Sequence, residues 1–190
     1  MLKYLVRELK PSKLGLFAVW NSSFRPSVDI QMSIQIRSST MLSRLGFQKT
    51  EEVHIDGELC AIILPARYDE RGIQFFTSGE LSQQLASMSY SAGKIIPAHT
   101  HNPVRREVFH TQEALFIRKG RVRVDFFSKR QEYRTSRVLG PGDVILLISG
   151  GHGFEVLEEL NMVEVKQGPY AGDTDKTRFR AVLPEKLKFD

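Results

Sequence analysis

Four residues of this chain combine side-chain type and spacing in a way that suits a metal ion. His99 and His101 stand two apart in Gly93-Lys94-Ile95-Ile96-Pro97-Ala98-His99-Thr100-His101. Glu113 opens the apolar run Ala114 to Ile117, and His152 follows the pair Gly150-Gly151. On a β-strand side chains alternate between faces, so the two imidazoles of an HxH pair point the same way. Imidazole nitrogen and carboxylate oxygen suit divalent Mn, Fe, Co, Ni, Cu or Zn. With no thiolate in the set, a structural zinc site of the cysteine type is excluded. Three His and one Glu on one ion would leave about two positions of an octahedral shell for water, dioxygen or a chelating substrate. The plainer alternative is a set of histidines held at strand ends by hydrogen bonds alone. That three of the five histidines of the chain fall on these positions weighs toward the metal.

The elements that must position these residues read as short strands. Val53-His54-Ile55 and Leu59 to Leu64 flank Asp56-Gly57, a strong two-residue hairpin signal. Ile73 to Phe76 is followed by the turn Thr77-Ser78-Gly79-Glu80, and Gln83 to Tyr90 alternates before Ser91-Ala92-Gly93. Asn102-Pro103 forces a turn after the histidines. Ala114 to Ile117 and Val122 to Phe127 flank Lys119-Gly120 as an expected hairpin. In its second arm Val122, Val124 and Phe126 share one face. Arg121, Arg123 and Asp125 share the other, which reads as solvated, with the arginine pair as an anion-binding alternative. Lys129-Arg130-Gln131, Gly140-Pro141-Gly142 and Gly150-Gly151 mark further turns, with strands at Val144 to Ile148, His152 to Leu157 and Met162 to Val165. Such spacing, with glycine at the turns and little helical period, predicts an all-β antiparallel sandwich or barrel. Met88, Tyr90 and Phe116 are expected in its core, with the pocket lining as the alternative.

The first stretch resembles the first motif of the cupins, G-x5-H-x-H-x3,4-E-x6-G, at Gly93, His99, His101, Glu113 and Gly120. One departure is the eleven residues from Asn102 to Gln112 where the family has three or four. The second cupin motif, G-x5-P-x-G-x2-H-x3-N, is matched loosely by Gly142, Gly150 and His152. Ile148 replaces its proline, and the histidine comes one residue early. The motifs cover about a third of the chain, and the strand and turn signals extend the likeness from about Gln83 to Val165. The resemblance implies an antiparallel jelly-roll β-barrel and a homodimer. It also implies a divalent transition metal (Mn, Fe, Ni or Zn) held by His99, His101, Glu113 and His152. Glu107 rivals Glu113 because it lies nearer His101, but position 114, seven residues after it, is Ala rather than Gly. His54, without a partner two residues away, reads as a surface or edge histidine, and His110 as loop or packing.

Domain organisation follows from composition. Residues 1–50 form an N-terminal extension, 51–180 the barrel and 181–190 a C-terminal tail. In residues 1–50 eight Lys/Arg stand against Glu8 and Asp29, a net +6, which leaves −1 for the other 140 residues out of a total of +5. The basicity therefore belongs to the extension, and a nucleic-acid partner is not expected for the barrel. The extension reads as a targeting peptide, as a mobile arm with partial helix at Tyr4 to Leu9, or as an over-extended start with Met41 as the natural one. The last two are favoured, since Leu14 to Trp20 is too short and poorly flanked for a secretory signal. The sequon Asn21-Ser22-Ser23 matters only in a secreted protein. Cys60 is the single cysteine, excludes an internal disulfide and lies in an apolar run, as a buried small hydrophobe would. No apolar run approaches the roughly 18 residues of a membrane helix. A cytoplasmic protein without membrane partner is the expectation.

Two functions compete. One is a small metal-dependent enzyme acting on a small polar substrate, with oxygenation, isomerisation or lyase chemistry implied by the cupin resemblance. The stretch Gly168 to Phe179 resembles the segment after the last barrel strand in cupin-type sugar-phosphate isomerases, which points to a carbohydrate; its plainer reading is a solvated loop. The other is a non-catalytic module that binds or senses a small-molecule ligand. Phosphate loops, dinucleotide fingerprints and nucleophile elbows are absent from the sequence.

Overall fold

The computed structural model describes residues 49–189. The expectations for the N-terminal extension, including the helix at Tyr4 to Leu9, the targeting reading and the start at Met41, lie outside the described residues. Ten strands follow in order: β1 (Glu51–Ile55), β2 (Glu58–Leu64), β3 (Gly72–Phe75), β4 (Ala86–Ser89), β5 (Glu113–Lys119), β6 (Val122–Phe127), β7 (Tyr133–Leu139), β8 (Val144–Leu147), β9 (Gly151–Val156) and β10 (Asn161–Lys166). Short 3-10 turns occupy Gly172–Asp175 and Pro184–Lys186. All strand pairs are antiparallel, so the all-β expectation holds. The Asp56-Gly57 hairpin forms as its residues require. Both take positive φ, 51° and 84°, the left-handed geometry that suits a two-residue turn between twisted strands.

The strands form a five-stranded sheet in the order β1-β2-β8-β5-β10, a three-stranded sheet β7-β6-β9 and a two-stranded ribbon β3-β4. The expected hairpin at Lys119-Gly120 does not form. β5 pairs with β8 and β10, while β6 pairs with β7 and β9, so the chain crosses between sheets at Gly120. The physical reason is facial. Leu115 and Ile117 on β5 and Val122, Val124 and Phe126 on β6 each need an apolar partner, and they bury against one another across two sheets. Gly120 permits the crossing with φ at 80°, and a Cβ there would stand 2.1 Å from the Glu159 carbonyl oxygen.

Strand register fixes which side chains face inward. Opposed residues of an antiparallel pair share a face. Val122, Val124 and Phe126 therefore face the core together with Val156, Phe154 and His152 of β9. On β5, Glu113, Leu115 and Ile117 share the inward face with Lys166, Glu164 and Met162 of β10. The core between the sheets is closed by Ile145, Leu147, Ala61, Ile63, Val53 and Leu139, with Cys60 buried among them as expected. Full burial of a side chain such as Leu115 or Phe126 contributes about 1.5–3 kcal/mol.

The two outer faces are covered differently. Ile62, Ala114, Leu146 and Ile148 on the large sheet are packed by Leu59, Phe76, Leu81 and Leu85. On the small sheet Arg123 and Asp125 are buried, contrary to the solvated face that alternation suggests. Arg123 Nε and Nη2 donate to the two Asp125 oxygens at 2.8 and 3.0 Å. Ser136 Oγ donates to Asp125 Oδ1 at 2.6 Å, and Tyr133 and Ser136 share a hydrogen bond of 2.8 Å. The C-terminal segment pairs along the outer edge of β7: Ser136 N donates to the Lys188 carbonyl, and Phe189 bridges to Ser136 in parallel. Met88, Tyr90 and Phe116, expected in the core, are exposed. Phe116 lies on the uncovered part of the large sheet's outer face, opposite Val163 of β10. Met88 projects from the β3-β4 ribbon, which pairs with neither sheet.

Candidate functional site

Glu113 is the first residue of β5 and His152 the second of β9, so they belong to different sheets. Both point into the inter-sheet space, at the end where the apolar residues stop. The turn that delivers His152 depends on its two glycines. Gly150 has φ at 74°, and a Cβ on Gly151 would stand 2.8 Å from the ring of Phe179. Glu113 Oε2 lies 3.2 Å from His152 Nε2, and its other oxygen lies 3.9 Å from Lys166 Nζ. Lys166 in turn meets Glu164 at 3.2 Å, which holds the ammonium in its charged form more firmly than usual. The hydrogen bond from His152 is the main cause that holds the Glu113 carboxyl below its ordinary value of 4.5. Burial opposes it, and the charges of His152, Lys166 and Lys176 reinforce it.

The spacing of Glu113 and His152 fits two donors of one ion. Ligands about 2.1 Å from a metal and 90–109° apart are separated by about 3.0–3.4 Å, and the pair stands 3.2 Å apart. An ionised carboxylate beside an imidazole is also the donor chemistry that a borderline divalent metal takes.

A cleft of about 1070 Å³ opens at this pair. Glu113, His152 and Glu164 line one side and Arg123, Asp125 and Glu155 another. Asp175 to Phe179, with Ala181 and Val182, also line it, as does the turn Ser149-Gly150-Gly151. The stretch Gly168 to Phe179, expected as a solvated loop or as an isomerase-like tail, is mostly exposed, and its last five residues line the cleft. Thr111 Oγ1 donates to Asp175 Oδ1 at 2.7 Å, and the Phe179 ring packs edge-on against Phe127 with centroids 5.0 Å apart. Lys166, Glu164 and Lys176 escaped the sequence reading. On β10 the apolar Val163 and Val165 suggest the core face by alternation, yet register turns them outward and sends Glu164 to the cleft and Lys166 beside Glu113. Only the pairing of Leu115 with Glu164 reveals this.

The other two expected ligands are placed apart from the cleft. No strand lies between Ser89 and Glu113, and every residue from 90 to 110 is exposed, His99 and His101 included. The two imidazoles keep company with each other, ring centroids 5.2 Å apart, and His99 Nδ1 sits 3.0 Å from the Pro97 carbonyl oxygen. Among the described residues no group of three or more His, Cys, Asp or Glu gathers closely enough to hold an ion. Glu107, the rival carboxylate, pairs with Arg105 at 2.8 Å on the same exposed stretch, whereas Glu113 meets His152. His110 lines the cleft at its rim. His54 is exposed, as expected of a surface histidine, but it does have a partner two residues away, Glu52 at 2.8 Å. Comparison with protein-family models, with curated proteins and with solved structures gave no match. No helix among the described residues is long and apolar enough to cross a membrane.

Proposed function

We propose that this chain is a cupin-type jelly-roll protein that binds a divalent transition metal (Mn, Fe, Ni or Zn) through His99, His101, Glu113 and His152, and that it is a small metal-dependent enzyme. The observation that carries the reading is the convergence of Glu113 and His152, at donor spacing, from different sheets and at the mouth of a large cleft. A bound metal would supply Lewis acidity toward an oxygen-bearing ligand. The residues around it would do the rest. Lys166 and Lys176 place positive charge near Glu113, which favours an anionic or strongly polar substrate such as a carbohydrate derivative. The Lys166–Glu164 pair stands beside Glu113, where the ammonium would hold an oxygen of a bound molecule. Metal content of the purified protein, followed by turnover of sugar phosphates and small hydroxy or keto acids with each metal, tests the reading. Metal bound at Glu113 without turnover of any of these would favour the non-catalytic binding or sensing module. A protein that takes up no Mn, Fe(II), Ni or Zn would refute the metal site.

A further inference from the structure

The stretch 90–110 has the chemistry of an arm without a seat. It runs twenty-one residues exposed from end to end, yet it carries Ile95 and Phe109 at 81% and 85% exposure, together with Ile96, Val104 and Val108. Among the described residues no backbone hydrogen bond joins residues 95–110 to any strand. Large apolar side chains left in water lack the free energy that burial against a partner would give.

The two sheets have a complementary deficit. Among the described residues β9 pairs only with β6 and β10 only with β5, so within them each has one edge without a partner strand. Val124 and Val122 are buried on the inward face of the small sheet. Their β9 neighbours on that same face, Phe154 and Val156, are 40% and 58% exposed. The sandwich is therefore open along β9. The opening runs to His152, which already meets Glu113 and lacks the other two imidazoles of the site.

We propose that residues 90–110 are exchanged between two copies of this chain, the segment 94–101 of each adding to the free edge of the other's β9. His99 and His101 of one copy would then complete the metal site begun by Glu113 and His152 of its partner. The proposal rests on the metal-site reading for its chemistry and on the open edge for its geometry. Lengths agree: eight extended residues span about 26 Å and the six of β9 about 20 Å. Cross-strand neighbours of an added strand stand about 4.5–5.5 Å from those of β9, near enough for an imidazole of the arm and His152 to share an ion. The HxH spacing keeps both arm imidazoles on that face. Strand addition also covers Phe154 and Val156 and pairs the exposed backbone, the usual benefit of such docking. Reciprocal exchange closes a two-fold dimer and fills the β9 edge of both copies.

Complementation tests the exchange. One variant carries His99→Ala and His101→Ala, the other Glu113→Gln and His152→Ala; they are co-expressed with different tags and the mixed dimer is isolated. Each variant alone should bind little Ni(II). The mixed dimer should bind half the wild-type amount per chain, because one of its two sites has all four native ligands. A mixed dimer as empty as its parents, while wild type binds Ni(II), would show that each chain completes its own site and overturn the proposal. A second readout needs no metal. In a Cys60→Ser background, Ile96→Cys and Phe154→Cys in one chain should give covalent dimers with a short bis-maleimide. Cross-linking within single chains, or a wild type that sediments as a monomer, would equally overturn it. Covalent dimers from a protein that binds no Ni(II) would support the exchange and refute the metal reading.

Discussion

The buried Arg123–Asp125 pair gives the sharpest quantitative test of the fold. Asp125→Asn keeps the side-chain volume and removes the charge, leaving the guanidinium with an amide across two former charge-assisted contacts of 2.8 and 3.0 Å. The Ser136 hydrogen bond of 2.6 Å also loses its charged acceptor. Breaking a buried pair costs about 3–5 kcal/mol. The low end, about 3 kcal/mol, applies here because Arg123 borders the cleft and keeps Glu155 as a second partner. For a chain of this length each kcal/mol moves Tm by about 2–4 °C, so Asp125→Asn should lower Tm by about 6–12 °C. Arg121 provides the control. It lies on the same face of the strand run and pairs with Glu158 at 3.6 Å, but both side chains are more than half exposed. Arg121→Gln should cost under about 1 kcal/mol. The double variant Arg123→Met, Asp125→Leu should regain much of the loss, since apolar replacement of a buried pair is often neutral. Scanning calorimetry of the four proteins at one pH decides it. Equal melting temperatures for Asp125→Asn and Arg121→Gln would mean that the face is solvated.

Four further outcomes follow from the site and the turns. Added Ni(II) or Zn(II) at a hundred times its dissociation constant should stabilise wild type by about 2.7 kcal/mol, and differential scanning fluorimetry should show this gain mostly lost in Glu113→Gln but kept in Glu107→Gln. The gain should likewise survive His54→Ala and His110→Ala and fail in His99→Ala, His101→Ala and His152→Ala; a gain that persists in these last three would remove the histidines from the site. In chelator, the lowered carboxyl of Glu113 means that its stabilisation is complete above its ordinary value of 4.5 and disappears as pH falls through the depressed one. Urea midpoints of wild type and Glu113→Gln should therefore converge on acidification below that value, and parallel curves would contradict the sign. Gly120→Ala forces a Cβ to within 2.1 Å of the Glu159 backbone at φ 80° and should prevent stable folding, while Gly79→Ala meets nothing within 4 Å and should leave Tm within about 2 °C, as read by circular dichroism.

Short-range chemistry was legible in the sequence. Alternation identified Val122, Val124 and Phe126 as one buried face, because a strand's side-chain period is fixed by its backbone. Asp56-Gly57 announced its hairpin because few residue pairs tolerate two positive φ angles in succession. Glu113 could be chosen over Glu107 because it heads an apolar run, and the structure sets it beside His152.

Partnership between strands was not legible, since the same alternation serves a hairpin and a crossing between sheets. Lys119-Gly120 reads as a turn in both cases, and only the shared core of β5 and β6 shows that it joins two sheets. Arg123 and Asp125 look like a wet face until their mutual ion pair and the Ser136 hydroxyl, brought in by β7, satisfy the charges out of water. Glu164 and Lys166 flank valines that seem better suited to the interior, and register against β5 alone turns the charged pair inward. The HxH pair is the remaining case. The sequence supplies its two imidazoles at strand spacing, while their position relative to Glu113 and His152 depends on where an exposed arm finds an edge to pair with. That is a matter of long-range contact, and residue order does not encode it locally.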